Sequence, residues 1–390
     1  MRRWLRWGGI GLGALVIGAL AGGLWFREEL LRLRAVNTLF DADRIVQNFS
    51  AMDELFLTTP VARGVAAVHP LPAGPPLSLP EIAARWIAET AVTGLVVLDR
   101  GAVVYERAFL GTDLGDRRIS WSIAKSFLSV LFGISVARGE VALEAPVTDY
   151  APALEGSAYD GVTVRDVLTM QSGVRFDEDY LDPNSDINRM GRVLALGGTM
   201  DGFAAGLTAR DRPAGAAWAY VSIDTHVLAM VLRGATGQSL PDLMGRRLIA
   251  PLGVESAPYF LTDGEGVAFA LGGLNMALRD YARFGLMVAQ EGRVGGAQVV
   301  PEAWLAESTE PQAATPPGAI GYGYQWWVPQ DARPGEVLAR GVYGQYLYID
   351  GTRDVVIAVS AADRRFREAG RHAAAMAALR AISDAVAAGR

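Results

Sequence analysis

Two β-rich stretches sit at opposite ends of the folded part of this chain, and a long, mostly helical stretch separates them. The first, "TGLVVLDRGAVVYERAF" (93–109), is two apolar, β-branched runs around Asp99-Arg100-Gly101, which is hairpin turn chemistry. The second pairs "QYLYID" (345–350) with "DVVIAVSA" (354–361) across Gly351-Thr352-Arg353, and an alanine-rich helix closes the chain. Between them helical patterns dominate, among them "SIAKSFLSVLFGISVARG", "IDTHVLAMVLRGATG" and "LRDYARFGLMVAQEG". This order predicts an α/β (α+β) fold whose sheet is built from both chain ends, with an all-helical lobe inserted. The middle is too long for a loop, so the inserted lobe needs its own core. A cleft between the lobes is the expected place for a site. The expected boundaries are 81–118 with 300–388 for the α/β lobe and 119–299 for the helical lobe. Residues 35–80 form a lead-in ending in the Pro/Gly-rich "HPLPAGPPLSLP".

The first residues read differently. Arg2, Arg3 and Arg6 precede an uncharged run from Gly8 to Phe26, long enough to cross a bilayer as a helix, and Arg27-Glu28-Glu29 follow it. The positive-inside rule then puts the N-terminus in the cytoplasm and the rest of the chain in the periplasm, so 1–34 is expected to be an inner-membrane anchor and stem. Ala19-Leu20-Ala21 leaves cleavage as a signal segment open, with release to the periplasm.

Composition removes several functions. The net charge of −6 gives no footprint for nucleic acid, and Arg117-Arg118, Arg246-Arg247 and the Arg364, Arg365, Arg367 group are expected on solvated faces. Without cysteine there is no disulfide, thiolate zinc site or cysteine nucleophile, and His69, His226 and His372 form no metal-ligand pattern. The chain therefore calls for no metal or cofactor. No G-x-S-x-G elbow exists to pair a serine with one of those histidines. The oligomeric state is left open.

One residue stands apart. Of the 36 basic side chains only Lys125 is lysine, in "RRISWSIAKSFLS". Lysine can lose its proton in a protein and arginine cannot. Ser122 lies three residues earlier, at the start of a helix, where positions i and i+3 share a face. Apolar neighbours such as Trp121, Phe127 and Leu128 penalise the ammonium, and a neutral amine beside a serine is an activating base.

"SWSIAKSF" resembles the first motif of the serine β-lactamase and penicillin-binding-protein superfamily, in which S-x-x-K supplies the acylated serine. About a hundred residues on, Tyr220-Val221-Ser222 is similar to the Y-x-N second motif of class C β-lactamases and related esterases, with Ser222 where asparagine is usual. Ala339-Arg340-Gly341 stands where K-T-G or H-x-G belongs, without the cationic first residue, which argues against efficient β-lactam hydrolysis. Further likeness lies in "VTVRDVLTMQSGV", "APLGV", "LGGLNMALRDYARFG" and "GYGYQWWV", so that it spans about residues 45 to 385. Trp121, "RFDEDYLDP", Trp326-Trp327 and "RGVYGQ" point within the superfamily to 6-aminohexanoate-dimer hydrolase-like and carboxylesterase-like members.

The resemblance implies a β-lactamase-like fold, with an antiparallel sheet flanked by helices, and a role for each matching residue. Ser122 is the nucleophile, Lys125 the activating amine and Tyr220 the proton relay. The amides of Ser122 and Val342 form the oxyanion hole, and Gly341 allows close backbone approach. Tyr180, Ser222, Trp327, Gly341 and Tyr343 are expected to contact substrate, while Trp326 reads equally as packing. Asp177, Glu178 and Asp179 are expected to be a solvated acidic loop. The expected function is a serine hydrolase of small ester, amide or peptide substrates. A cell-wall or D-amino-acid peptidase using the same residues is one alternative, and a non-catalytic binder of peptidoglycan or protein is the other.

Overall fold

The computed structural model of the protein describes residues 26–316 and 319–390. Its strands are β1 (Thr58–Pro60), β2 (Val92–Asp99), β3 (Ala102–Ala108), β4 (Arg118–Ile119), β5 (Tyr259–Leu261), β6 (Leu274–Met276), β7 (Gly321–Tyr322), β8 (Trp327–Val328), β9 (Glu336–Gly341), β10 (Gln345–Asp350) and β11 (Val355–Ala361), besides one short hairpin. The helices that matter for the site are α1 (Arg27–Thr38), α2 (Glu81–Glu89), α3 (Ile123–Ala137), α4 (Asp186–Ala195), α5 (Ser222–Thr236), α6 (Leu278–Ala289) and α7 (Arg371–Ala388).

The main sheet is antiparallel and runs β3-β2-β11-β10-β9-β8-β7. The first hairpin lies directly against the last, with Val97 of β2 opposite Ile357 of β11. A sheet made from both chain ends is therefore what forms. A second antiparallel sheet, β1-β5-β6-β4, draws two strands from the stretch read as helical.

Helices cover both faces of the main sheet, and the period of two in the strands assigns their side chains. Leu95 and Val97 of β2 pack with Ala83 and Trp86 of α2 and with Leu379 and Ile382 of α7. Val96 and Leu98 point the other way, into the core that includes Phe284 of α6. A strand covered on both sides loses its polar face, which is why β2 reads as an unbroken apolar run. Helix α6 approaches closely because of Gly285, where a Cβ would come 2.6 Å from the Val356 side chain.

Helix α3 is buried around its whole circumference from Ile123 to Ser135, with packed neighbours on every side. Phe127 stacks on Phe284 of α6 with ring centres 3.6 Å apart, and Phe284 lies parallel to Trp326 at 6.1 Å. Gln325 ties three elements together beneath the site. Its carbonyl accepts from Ser126 of α3 at 2.8 Å, its side-chain oxygen accepts from Thr225 of α5 at 2.7 Å, and its amide donates to the Leu168 carbonyl at 2.9 Å.

Two expectations need correction. Arg118 is not on a solvated face: it is 4% exposed and donates to the Val46 carbonyl at 3.0 Å, because the pairing of β4 with β6 draws it inside. The membrane reading is also not supported. Among the described residues no helix is long and apolar enough to cross a membrane, and the run from Gly8 to Trp25 lies outside them. The inner-membrane anchor, the signal segment and the periplasmic location are accordingly withdrawn.

Candidate active site

Ser122 precedes α3 with its backbone already helical, at φ −68° and ψ −1°. A serine capping a helix usually adopts an extended backbone and spends its hydroxyl on an N–H of the first turn. Ser122 makes no such capping bond, so its hydroxyl is not spent on the helix backbone. Trp121 before it holds φ at 46°, a left-handed conformation uncommon outside glycine and a mark of stored strain.

Lys125 follows one turn later, its N–H donating to the Ser122 carbonyl at 3.2 Å. The side chain is 1% exposed, and Nζ lies 5.6 Å from the centre of the Tyr220 ring. Nζ donates to the Leu271 carbonyl at 2.9 Å, and that is its hydrogen bond here rather than one to the Ser122 hydroxyl. Burial pulls the Lys125 pKa down to about 7, while Glu178 and Asp224 hold it up. A large share of the amine is therefore neutral near pH 7.

Tyr220 lies just ahead of α5 and stacks on Trp327, with ring centres 5.2 Å apart at 27°. Burial raises its pKa, Glu178 raises it further, and the nearby Ser122 hydroxyl and Arg340 oppose the rise. The phenol thus keeps its proton at neutral pH. The Ser122 hydroxyl lies within hydrogen-bonding reach of the phenol. Arg340 places its guanidinium 5.5 Å from the centre of the Trp327 ring.

The end of β9 meets the segment before Ser122 closely. A Cβ on Gly341 would sit 2.7 Å from the Ser120 carbonyl oxygen and 3.1 Å from Trp121 Cβ, so only glycine allows this approach. Among the described residues neither the Ser122 amide nor the Val342 amide donates a hydrogen bond. Tyr343, after Val342, is left-handed at φ 61°. Its ring stacks on Phe40 at 4.7 Å, and Phe49 meets Trp121 and Tyr343 edge-on at 5.4 and 5.5 Å. Aromatic side chains of the lead-in thereby brace the strained residues beside both amides.

Ser122, Tyr180, Tyr220, Trp327, Gly341 and Val342 line one cleft of about 190 Å³, together with Glu178 and Arg340. Ser222 and Tyr343 line a second cavity of about 150 Å³ that also reaches Ser122. Lys125 lines neither and lies buried behind the cleft. Trp326, by contrast, is wholly buried packing.

The acidic loop departs from expectation. Asp177 is exposed and Asp179 pairs with Arg367 at 2.7 Å, but Glu178 turns inward. One of its oxygens accepts a short hydrogen bond from the Ser222 N–H, and the other is buried without a partner. Burial raises the Glu178 pKa against the pull of Lys125. Asp224, fully buried on α5, accepts from the Tyr159 hydroxyl at 2.7 Å, and burial pushes its pKa up to about 8. Sequence reasoning missed both carboxyls. Asp224 had a signal, being two residues after Ser222 in the first turn of α5; Glu178 had none.

The profile of the Beta-lactamase family matches residues 82–381, from α2 into α7. The chain belongs to the Beta-lactamase family. The 6-aminohexanoate-dimer hydrolase of Paenarthrobacter ureafaciens is 31% identical over 331 residues, which cover 79% of this chain and 83% of that protein. A solved structure of a candidate 6-aminohexanoate-dimer hydrolase from Bacillus anthracis has a TM-score of 0.78 at 24% identity, covering 88% of this chain and 95% of its own. The octameric penicillin-binding protein homologue from Pyrococcus abyssi follows with a TM-score of 0.60 at 19% identity, covering 76% and 75%. At those identities the two structures bear on the fold alone. This Beta-lactamase family member is thus a hydrolase with a β-lactamase-like fold, antiparallel sheets flanked by helices.

Proposed function

We propose that the chain is a serine hydrolase of ester or amide bonds that works through an acyl-enzyme on Ser122. The observation that carries this reading is the Ser122 hydroxyl, unused by its helix, in a cleft with Tyr220 and Val342, backed by a buried lysine whose pKa is pulled down to about 7. Neutral Lys125 takes the Ser122 proton while Oγ bonds to the substrate carbonyl carbon. The carbonyl oxygen becomes an oxyanion between the Ser122 and Val342 amides, both without a competing acceptor. Tyr220, held protonated, gives its proton to the leaving oxygen or nitrogen and is reprotonated from Lys125, and the bond to the leaving group breaks. Water then attacks the acyl-enzyme by the reverse route, releasing the acid and returning the proton to Ser122. The phenol is too weak an acid beside Glu178 to start as the base, which leaves that part to the lysine.

Likeness to a 6-aminohexanoate-dimer hydrolase supports amides among the substrates. An active-serine fluorophosphonate is expected to label the protein, with Ser122→Ala and Lys125→Arg each abolishing the label, as read by intact mass. Labelling that persists in Ser122→Ala would assign the wrong nucleophile.

A further inference from the structure

The second cavity meets the catalytic cleft at Ser122, Tyr180 and Val342 and is walled mainly by carbon-rich side chains. Leu39 and Phe40 come from the end of the N-terminal helical segment, Met52 and Phe56 from the stretch after it, Leu194 from α4 and Leu271 from the segment before β6. No Asp, Glu, Lys, Arg or His lines it. The polar groups at its wall, among them the Trp121 indole N–H, the Ser222 hydroxyl, the Asn188 amide and the Tyr180 phenol, are neutral. Tyr220 borders the open cleft and not this cavity. A group that protonates the leaving atom must face the leaving group, so the leaving group occupies the cleft and the acyl portion points the other way.

We infer that this cavity is the acyl-chain pocket, and that the preferred substrate carries an uncharged aliphatic acyl group of about six carbons, the number in the benzene that an apolar cavity of this volume holds. This rests on Ser122 being the acylated residue as proposed above. A chain ending in an ammonium, such as a 6-aminohexanoyl group, meets no counter-charge in the cavity and is disfavoured, since a buried unpaired charge is costly. The specificity of this chain thereby parts from what the name of its curated relative describes. The segment from Val36 to Phe56 becomes a specificity element rather than a mere lead-in.

The test is a series of p-nitrophenyl esters from acetate to decanoate with the full-length protein. Burying methylenes predicts that kcat/KM rises about fourfold per added carbon up to hexanoate, and then falls. The 6-aminohexanoate ester is expected to react at least about tenfold more slowly than the hexanoate ester. Leu39→Trp, which fills the cavity, lowers the hexanoate-to-acetate ratio by about tenfold or more. A flat series, equal rates for the two six-carbon esters, or an unchanged ratio in folded Leu39→Trp overturns the inference while leaving the serine hydrolase intact. Should every ester fail, the hydrolase reading falls, and calorimetry of Ser122→Ala with hexanamide and acetamide decides this one separately. Saturable binding of hexanamide alone supports the pocket, and no binding overturns it.

Discussion

At the scale of single residues, the burial of Lys125 costs stability. Its folded pKa of about 7 lies below that of free lysine, about 10.4. Below pH 7 the amine is charged in both folded and unfolded chains, and the folded state bears the whole cost of burying that charge. The cost fades as pH rises above 7 and is gone above the free value. Lys125→Met is therefore expected to stabilise the fold by about 4–5 kcal/mol at pH 6, at 1.36 kcal/mol per pKa unit, with the gain nearly lost at pH 10. Denaturant melts at both pH values read this directly, and a gain independent of pH would contradict it. Serine and lysine were legible in the sequence because one helical turn relates them. Glu178 was not legible, because its burial comes from the approach of Ser222, far along the chain, to a run of acids whose outer members face water.

At the scale of elements, the end of β9 and the start of α3 together make the proposed oxyanion site, and Gly341 sets their distance. Gly341→Ala is expected to push the Val342 amide off its position and lower kcat by about 10²–10³-fold, the usual effect of losing one oxyanion donor. KM should move little and circular dichroism should stay native. A kcat within a factor of about three of the parent would mean that the Val342 amide does not hold the oxyanion. The hairpins that carry β2 with β3 and β10 with β11 were readable from β-branched runs around turn residues. The short strands β1, β4, β5 and β6 were not, since two or three residues carry no period and their pairing is set by tertiary contact.

At the scale of the whole molecule, the two chain ends are interdependent. Helix α7 lies over β2 and β11, its Leu379 and Ile382 in one cluster with Leu95, Val97 and Ile357. A chain ending at residue 370 would leave that face bare and is expected to show no cooperative thermal transition; a sharp native-like melt would contradict this. The likeness of order and motifs gave the architecture from sequence, whereas the part played by Phe40 and Phe49 in bracing Trp121 and Tyr343 depends on a long-range return of the lead-in that no local pattern records. The assembled site stands or falls on a serine made reactive by a neutral lysine. The pH dependence of the second-order rate of fluorophosphonate labelling at Ser122 measures that most directly. The rate should climb about tenfold per pH unit and level off with a midpoint near 7, where Lys125 loses its proton, and Lys125→Arg should show no such climb. A profile that is flat from pH 5 to 9, or one with its midpoint at the ordinary lysine value of about 10.4, would contradict the account.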